Sequence, residues 1–149
     1  MLSKKTEYAI RALVYISLQN MKERRPLIAE ISREIDAPPA FTAKVLQVLS
    51  RNKLVSSMKG RGGGFFFDEK NKGITLYDVI YNMEGDGLFR ECGFGLRNCS
   101  DIKPCPLHDR YKAIREDYFS IVKEETIASL SLKIKDGKAV INNINRIES

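Results

Sequence analysis

The sequence predicts a mainly α-helical chain with one small β-hairpin: a winged helix-turn-helix followed by a long C-terminal dimerisation helix. Three observations carry that prediction. Two short helical stretches are separated by Asp36-Ala37-Pro38-Pro39. A glycine-rich turn, Lys59-Gly60-Arg61-Gly62-Gly63-Gly64, lies between two strand-like segments. Apolar residues then recur at three- and four-residue steps from Leu107 to Val122.

Ser3 is placed to cap a first helix, with Glu7 inside its first turns and Ala9, Leu13 and Ile16 at helical spacing. That helix ends near Asn20–Met21. Residues 27–35 read as a short second helix. The prolines break it, because proline lacks an N–H and disfavours α geometry in the residue before it. Proline also starts helices well, and Phe41, Val45, Val48 and Leu49 give a third helix its apolar stripe up to about Asn52. Residues 54–58 and 64–67 form the hairpin strands, and the glycines between them allow a tight tip. Thr75 caps a fourth helix with Leu76, Val79, Ile80 and Met83 on one face. Residues 85–105 have no periodicity, and a loop of that length usually has a job. A fifth helix starts near Pro106, and Thr126 caps a short one over 127–132. Asp136-Gly137 signals a turn, and the last twelve residues are mildly apolar without a clear pattern.

The chain has 149 residues, 43 % of them hydrophobic, which suits one compact domain or a small domain with an appended helix. The N-terminus shows no signal-peptide pattern and no apolar run approaches a membrane span, so a cytoplasmic protein without a membrane partner is expected. The formal net charge is +6, and it is unevenly spread. Residues 1–64 hold 12 basic and 5 acidic side chains, a net of +7; the remaining 13 basic and 14 acidic give −1. Such asymmetry points to a polyanion, usually nucleic acid.

In a helix-turn-helix the start of the second helix faces base edges. Those positions are Ala40, Thr42, Ala43 and Lys44, with Phe41 assigned to the core as the first member of its stripe. Thr42 and Lys44 can hydrogen-bond bases or phosphates, and the alanines can touch thymine methyls. Lys59 and Arg61, set among slim glycines, suit a minor groove. The glycines run into Phe65-Phe66-Phe67 rather than into Gly-Lys-Ser/Thr and a helix, which excludes a phosphate-binding P-loop.

All three cysteines and the sole histidine cluster as Cys92-x6-Cys99-x5-Cys105-x2-His108. An odd cysteine count in a reducing compartment favours metal or redox chemistry over disulfides. Thiolates select zinc, copper(I) and iron–sulfur clusters, but structural zinc prefers closely spaced pairs. Widely spaced cysteines in a loop containing Gly93 and Gly95 suit an iron–sulfur cluster, which takes four ligands and accepts histidine in some cases. His108 is the leading fourth ligand, with Glu7 and Asp101 as carboxylate alternatives. A metal-free thiol switch competes with this reading. An iron–sulfur redox enzyme or electron carrier is disfavoured, since there is one histidine, no activated-serine pattern and no nucleotide-binding motif.

The order of these features resembles the IscR- and NsrR-type winged-helix transcription regulators, the Rrf family. The resemblance rests on Tyr8-Ala9-Ile10-Arg11-Ala12-Leu13, on the segment from Leu54 through Gly64 to Phe65, and on the three-cysteine loop before the long helix. It implies a homodimer that binds a pseudo-palindromic operator on double-stranded DNA. It also implies a [2Fe-2S] or [4Fe-4S] cluster on Cys92, Cys99 and Cys105, with [2Fe-2S] favoured. The fourth ligand then falls on His108, as in IscR-like members, or on Glu7 across the dimer, as in NsrR-like members. The first cysteine gap is six residues where familiar members have five, and Ala40 and Ala43 replace more polar groups. The expected division is 1–84 for DNA binding, 85–105 for the cluster, and 106–149 for dimerisation. Within the last, Tyr111, Ile114, Tyr118 and Ile121 form the expected interface stripe.

Overall fold

A computed structural model of the chain describes residues 2–95 and 99–140. Part of the cysteine loop, 96–98, and the end of the C-terminal segment, 141–149, lie outside the described residues. The first helix, α1 (Lys4–Asn20), begins where Ser3 takes extended backbone and its hydroxyl accepts from the Thr6 N–H. Ala9, Ala12, Leu13, Val14 and Ile16 are fully enclosed. A helix apolar on so many sides must be central, and α1 is the beam around which the rest packs.

On one side lie α2 (Ile28–Glu34) and α3 (Pro39–Arg51), joined by a turn in which Asp36 has a positive φ. Pro38 caps α3 and Pro39 opens it. Ile31, Ile35, Leu46 and Leu49 close this side of the core. Each such buried side chain contributes about 1.5–3 kcal/mol relative to exposure. The Tyr15 hydroxyl donates to Glu30 Oε1 at 2.7 Å and so ties α1 to α2. Burial, reinforced by that bond, pushes the phenol well above its usual pKa.

Strands β1 (Ser56–Met58) and β2 (Gly64–Phe66) pair antiparallel, with Ser57 opposite Phe65. The wing is fastened to the body by backbone. Phe65 N–H donates to Pro26 O at 2.9 Å. The Asn20 carboxamide donates to Phe65 O and accepts from Phe67 N–H. A Cβ at Gly64 would run into the backbone of Arg25, and its φ is +135°, so glycine is required for this close passage.

After a single 3₁₀ turn, Glu69–Asn71, comes α4 (Leu76–Glu84), with a reciprocal cap between Thr75 and Asp78. Then follow α5 (Gly87–Arg90), α6 (His108–Glu124) and α7 (Ile127–Lys135), the last capped by Thr126. Neither α5 nor the 3₁₀ turn was foreseen, since one turn carries no period. Ile127 and Ile134 of α7 return to the α1 core. Two backbone hydrogen bonds, Leu76 N–H to Glu125 O and Ile127 N–H to Ile74 O, both 2.9 Å, join the starts of α4 and α7.

The expected interface stripe of α6 divides. Tyr118 stacks on Phe89 at 5.9 Å and packs on a second core of Ile80, Phe89 and Val122. Tyr111 meets Phe94 edge-on at 5.5 Å. Ile114 and Ile121 stay 65 % and 54 % exposed. At about 100° per residue Ile114 and Ile121 sit roughly 60° and 80° round from Tyr111, on the side away from Val122.

Candidate nucleic-acid interface and thiol–imidazole site

The two faces of α3 are chemically distinct. Thr42, Val45, Leu46 and Leu49 are buried. Ala40, Lys44 and Gln47 are exposed, and Ala43 is half-buried. Thr42 corrects the expectation that it faces a groove. It is 1 % exposed, and its hydroxyl donates to Pro38 O at 3.0 Å. A helical threonine can make this bond to the carbonyl four residues back. Phe41 lies edge-on to Tyr8 at 5.6 Å, on the core side. Gln47 was missed. Its place in the 40, 43, 44, 47 series was readable as a second stripe, and its carboxamide suits an adenine edge.

Lys59 and Arg61 are exposed at the wing tip, beside Gly60 and Gly62 with positive φ. Arg25 adds a cation that sequence reasoning missed. Its guanidinium lies 4.1 Å over the Phe66 ring, and Nη1 is 3.6 Å from Met58 Sδ. An open groove of about 620 Å³ runs between α3 and the wing, lined by Ala43, Gln47, Ser57, Met58 and Lys59 among others. A helix offering Lys44 and Gln47 beside a slim basic hairpin has the layout for contacting two adjacent grooves of a duplex.

Further along the chain, Cys92 follows α5, and Cys99 and Cys105 lie in the loop before α6. The backbone N–H of His108, first residue of α6, donates to Cys105 O at 3.0 Å. The loop crosses α6 closely, because a Cβ on Gly93 would collide with the Tyr111 ring. Cys92, Cys99, Cys105 and His108 wall one cavity of about 310 Å³, together with Ser100, Lys103 and two prolines. The three cysteines are half-buried. His108 is only 6 % exposed. Its Nδ1 lies 3.3 Å from Cys99 Sγ, and its Nε2 lies 2.8 Å from Asp101 Oδ1.

Asp101 also accepts from Lys112 Nζ at 2.9 Å. The hydrogen bond from His108, and then that from Lys112, hold the Asp101 carboxyl below the usual carboxylate range. Among the described residues no three His, Cys, Asp or Glu side chains converge closely enough to chelate a single ion. Glu7 pairs with Lys4 at 3.2 Å and is not among the cavity walls. Asp101, the other carboxylate alternative, is also absent from those walls and is engaged with His108.

An exposed recognition helix beside a basic, glycine-tipped hairpin defines a winged-helix DNA-binding protein. The chain matches the Rrf2 family model, described as iron-dependent transcriptional regulator, over residues 2–132, and it belongs to that family. It is 32 % identical over 130 residues to protein aau3 of Rhizobium meliloti (strain 1021), covering 87 % of this chain and 83 % of that protein. Its fold is similar to that of CymR, the global cysteine regulator of B. subtilis, with a TM-score of 0.72 at 17 % identity, over 89 % of this chain and 96 % of that one. T. potens IscR gives a TM-score of 0.70 at 15 % identity, over 95 % and 93 %. The chain is therefore a transcriptional regulator that acts on DNA, not an enzyme. No helix among the described residues is long and apolar enough to cross a membrane.

Proposed function

We propose that the chain works in the cytoplasm as a homodimer whose binding to a pseudo-palindromic operator is controlled by an iron–sulfur cluster. Cys92, Cys99 and Cys105 hold three ligand positions and His108 the fourth. The observation that carries this reading is the shared cavity: all three thiols and the one imidazole wall a single space of about 310 Å³. Soft thiolates with an imidazole around such a space fit a polynuclear group, [2Fe-2S] by preference and [4Fe-4S] as the alternative. When bound, the cluster supplies a centre sensitive to redox state and nitric oxide.

The chain's own residues do the rest. The four donors join the loop to the start of α6. Leu107 at the N-terminal cap of that helix and Ile114 and Ile121 on it recur every seven residues and are exposed, which suits burial against a second copy. A two-fold axis there sets two α3 helices for two half-sites. Residues 1–84 contact DNA, 85–105 hold the cluster, and 106–149 include the dimer helix. Operator occupancy shifts only by the difference in DNA affinity between the two cluster states.

A second reading, a metal-free thiol switch, is favoured by the 3.3 Å approach of Cys99 Sγ to the His108 imidazole. Anaerobic purification decides between them. The expected product is coloured, contains iron and acid-labile sulfide, and loses both on Cys92→Ala, Cys99→Ala or Cys105→Ala. Colourless protein without iron or sulfide, whose operator affinity still changes on oxidation, gives the function to the thiol switch. Stoichiometric zinc without sulfide overturns the cluster.

A further inference from the structure

The two ring nitrogens of His108 have different neighbours. Nε2 is 2.8 Å from Asp101 Oδ1, and that same oxygen accepts from Lys112 Nζ. Nδ1 faces Cys99 Sγ, a wall of the thiol cavity. Lys112 sits four residues after His108 on α6 and therefore on the same side of the helix. Asp101 comes from the loop, so one carboxylate oxygen bridges loop and helix through two donors.

A carboxylate only accepts, so the hydrogen between His108 and Asp101 belongs to Nε2. A neutral imidazole carries one such hydrogen, which leaves the Nδ1 lone pair directed toward the cavity. Cys99 S–H can donate to that lone pair, so the one tautomer satisfies both contacts. Lys112–Asp101 alone is an exposed ion pair, worth little. The bond to His108 is different, because the ring is enclosed.

We propose that Asp101, braced by Lys112, is a positioning residue that holds His108 in the Nε2–H tautomer and presents Nδ1 as the iron-ligating nitrogen. This rests on the cluster reading above. Metal-bound histidines in general give their second nitrogen to a carboxylate or carbonyl, which fixes tautomer and ring orientation. Asp101, counted earlier as an alternative ligand, thereby acts through His108 instead.

The chain has one histidine, so labelling is unambiguous. Protein is made anaerobically with histidine carrying ¹⁵N at Nδ1 only or at Nε2 only, and electron–nuclear double resonance is recorded on the reduced cluster. Strong coupling is expected from the Nδ1 label and weak coupling from the Nε2 label. In parallel, cluster loss to a chelator is timed for Asp101→Ala, Asp101→Asn and Lys112→Ala. Asp101→Ala is expected to lose the cluster about 10- to 100-fold faster. Asp101→Asn should recover part of the difference, since its carbonyl still accepts from Nε2–H, and Lys112→Ala should show a smaller loss.

Strong coupling at Nε2, or an unchanged chelation rate in Asp101→Ala, overturns the proposal. Weak coupling at both nitrogens of a fully loaded protein overturns it and removes His108 as fourth ligand, while leaving a cluster on the three cysteines intact. The ¹⁵N shifts of the cluster-free protein at pH 8 separate the two further. An Nδ1–H tautomer there refutes the role of Asp101. An Nε2–H tautomer in protein that never holds iron sustains Asp101's hold on the ring but removes both the ligation and the proposed function.

Discussion

Ala9, Ala12, Leu13, Val14 and Ile16 are wholly enclosed by the elements around α1, whereas Phe94, Ile102 and Leu107 of the cysteine loop stand in solvent. The body gets its shape from packed apolar surface. The described part of the loop is held mainly by polar contacts, beside the passage of Gly93 past Tyr111. Ser100 Oγ accepts from the N–H groups of Ile102 and Lys103, and the Cys99–His108–Asp101–Lys112 chain ties it to α6. A region held by packing resists change as a unit, while one held by polar contacts can be rearranged by whatever competes for them. Substitutions in the packed body and in the thiol-bearing loop are therefore expected to have separable effects.

The largest contrast is a core truncation. Leu13→Ala should lower unfolding stability by about 2–5 kcal/mol, and Ile102→Ala should change it by less than about 0.5 kcal/mol, both read from denaturant midpoints. Equal losses at the two positions break the comparison. On the DNA side, Lys44→Ala or Gln47→Ala should cost roughly 1–3 kcal/mol of discrimination between operator and random duplex. Lys59→Ala should instead weaken both duplexes alike and lower the salt slope by about one, measured by titration at several salt concentrations.

Gly93→Ala sharpens the same boundary from the other side. The new methyl meets the Tyr111 ring, so the loop must shift, at a cost of about 1–3 kcal/mol. Iron retention should fall while operator-length DNA is still bound non-specifically, and Tyr111→Ala in the same chain should restore retention. The smallest effect concerns acid. Burial alone would raise the Glu84 carboxyl, but hydrogen bonds from Ser3 and from Thr6, the latter 2.7 Å, outweigh it and hold the group below its usual range. The unfolded chain then takes up that proton more readily. Stability from Glu84 is full above the ordinary glutamate pKa of about 4.3 and is lost as pH falls through the lower folded value. Glu84→Gln should flatten this part of the melting-temperature profile between neutral and acid pH.

Much of the body was legible because its signals are local and repeated. Ser3, Thr75 and Thr126 all cap helices where their sequence positions predicted. Pro38-Pro39 opens α3, and Gly64 sits where the wing must pass another backbone. Thr42 was misread by weighting its hydroxyl over its spacing. The series 42, 45, 46, 49 was already a buried helical face, and its complement contained Gln47. Tyr118 is half-buried against the second core, and a step of four already placed it beside buried Val122. In the loop, composition identified the thiols, but no period could reveal that Cys99 lies against His108 or that Asp101 lies behind it. Those proximities depend on how Gly93 lets the chain cross Tyr111, a tertiary contact between residues eighteen apart.

Among the described residues, α6 is clasped to the body of the fold at its Glu125 end. Near Glu125 it runs into the paired backbone bonds donated by Leu76 N–H to Glu125 O and by Ile127 N–H to Ile74 O, and Tyr118 and Val122 bed into the second core. The His108 end rests on the loop. The helix has 17 residues, a length of about 25 Å, so a tilt of roughly 10° about the anchored end swings the other by about 4 Å. The same lever works in reverse. A few ångströms of travel among the thiols would arrive at Thr75 and Thr126 as a small rotation with high mechanical advantage, applied where α4 and α7 are clasped together against α1.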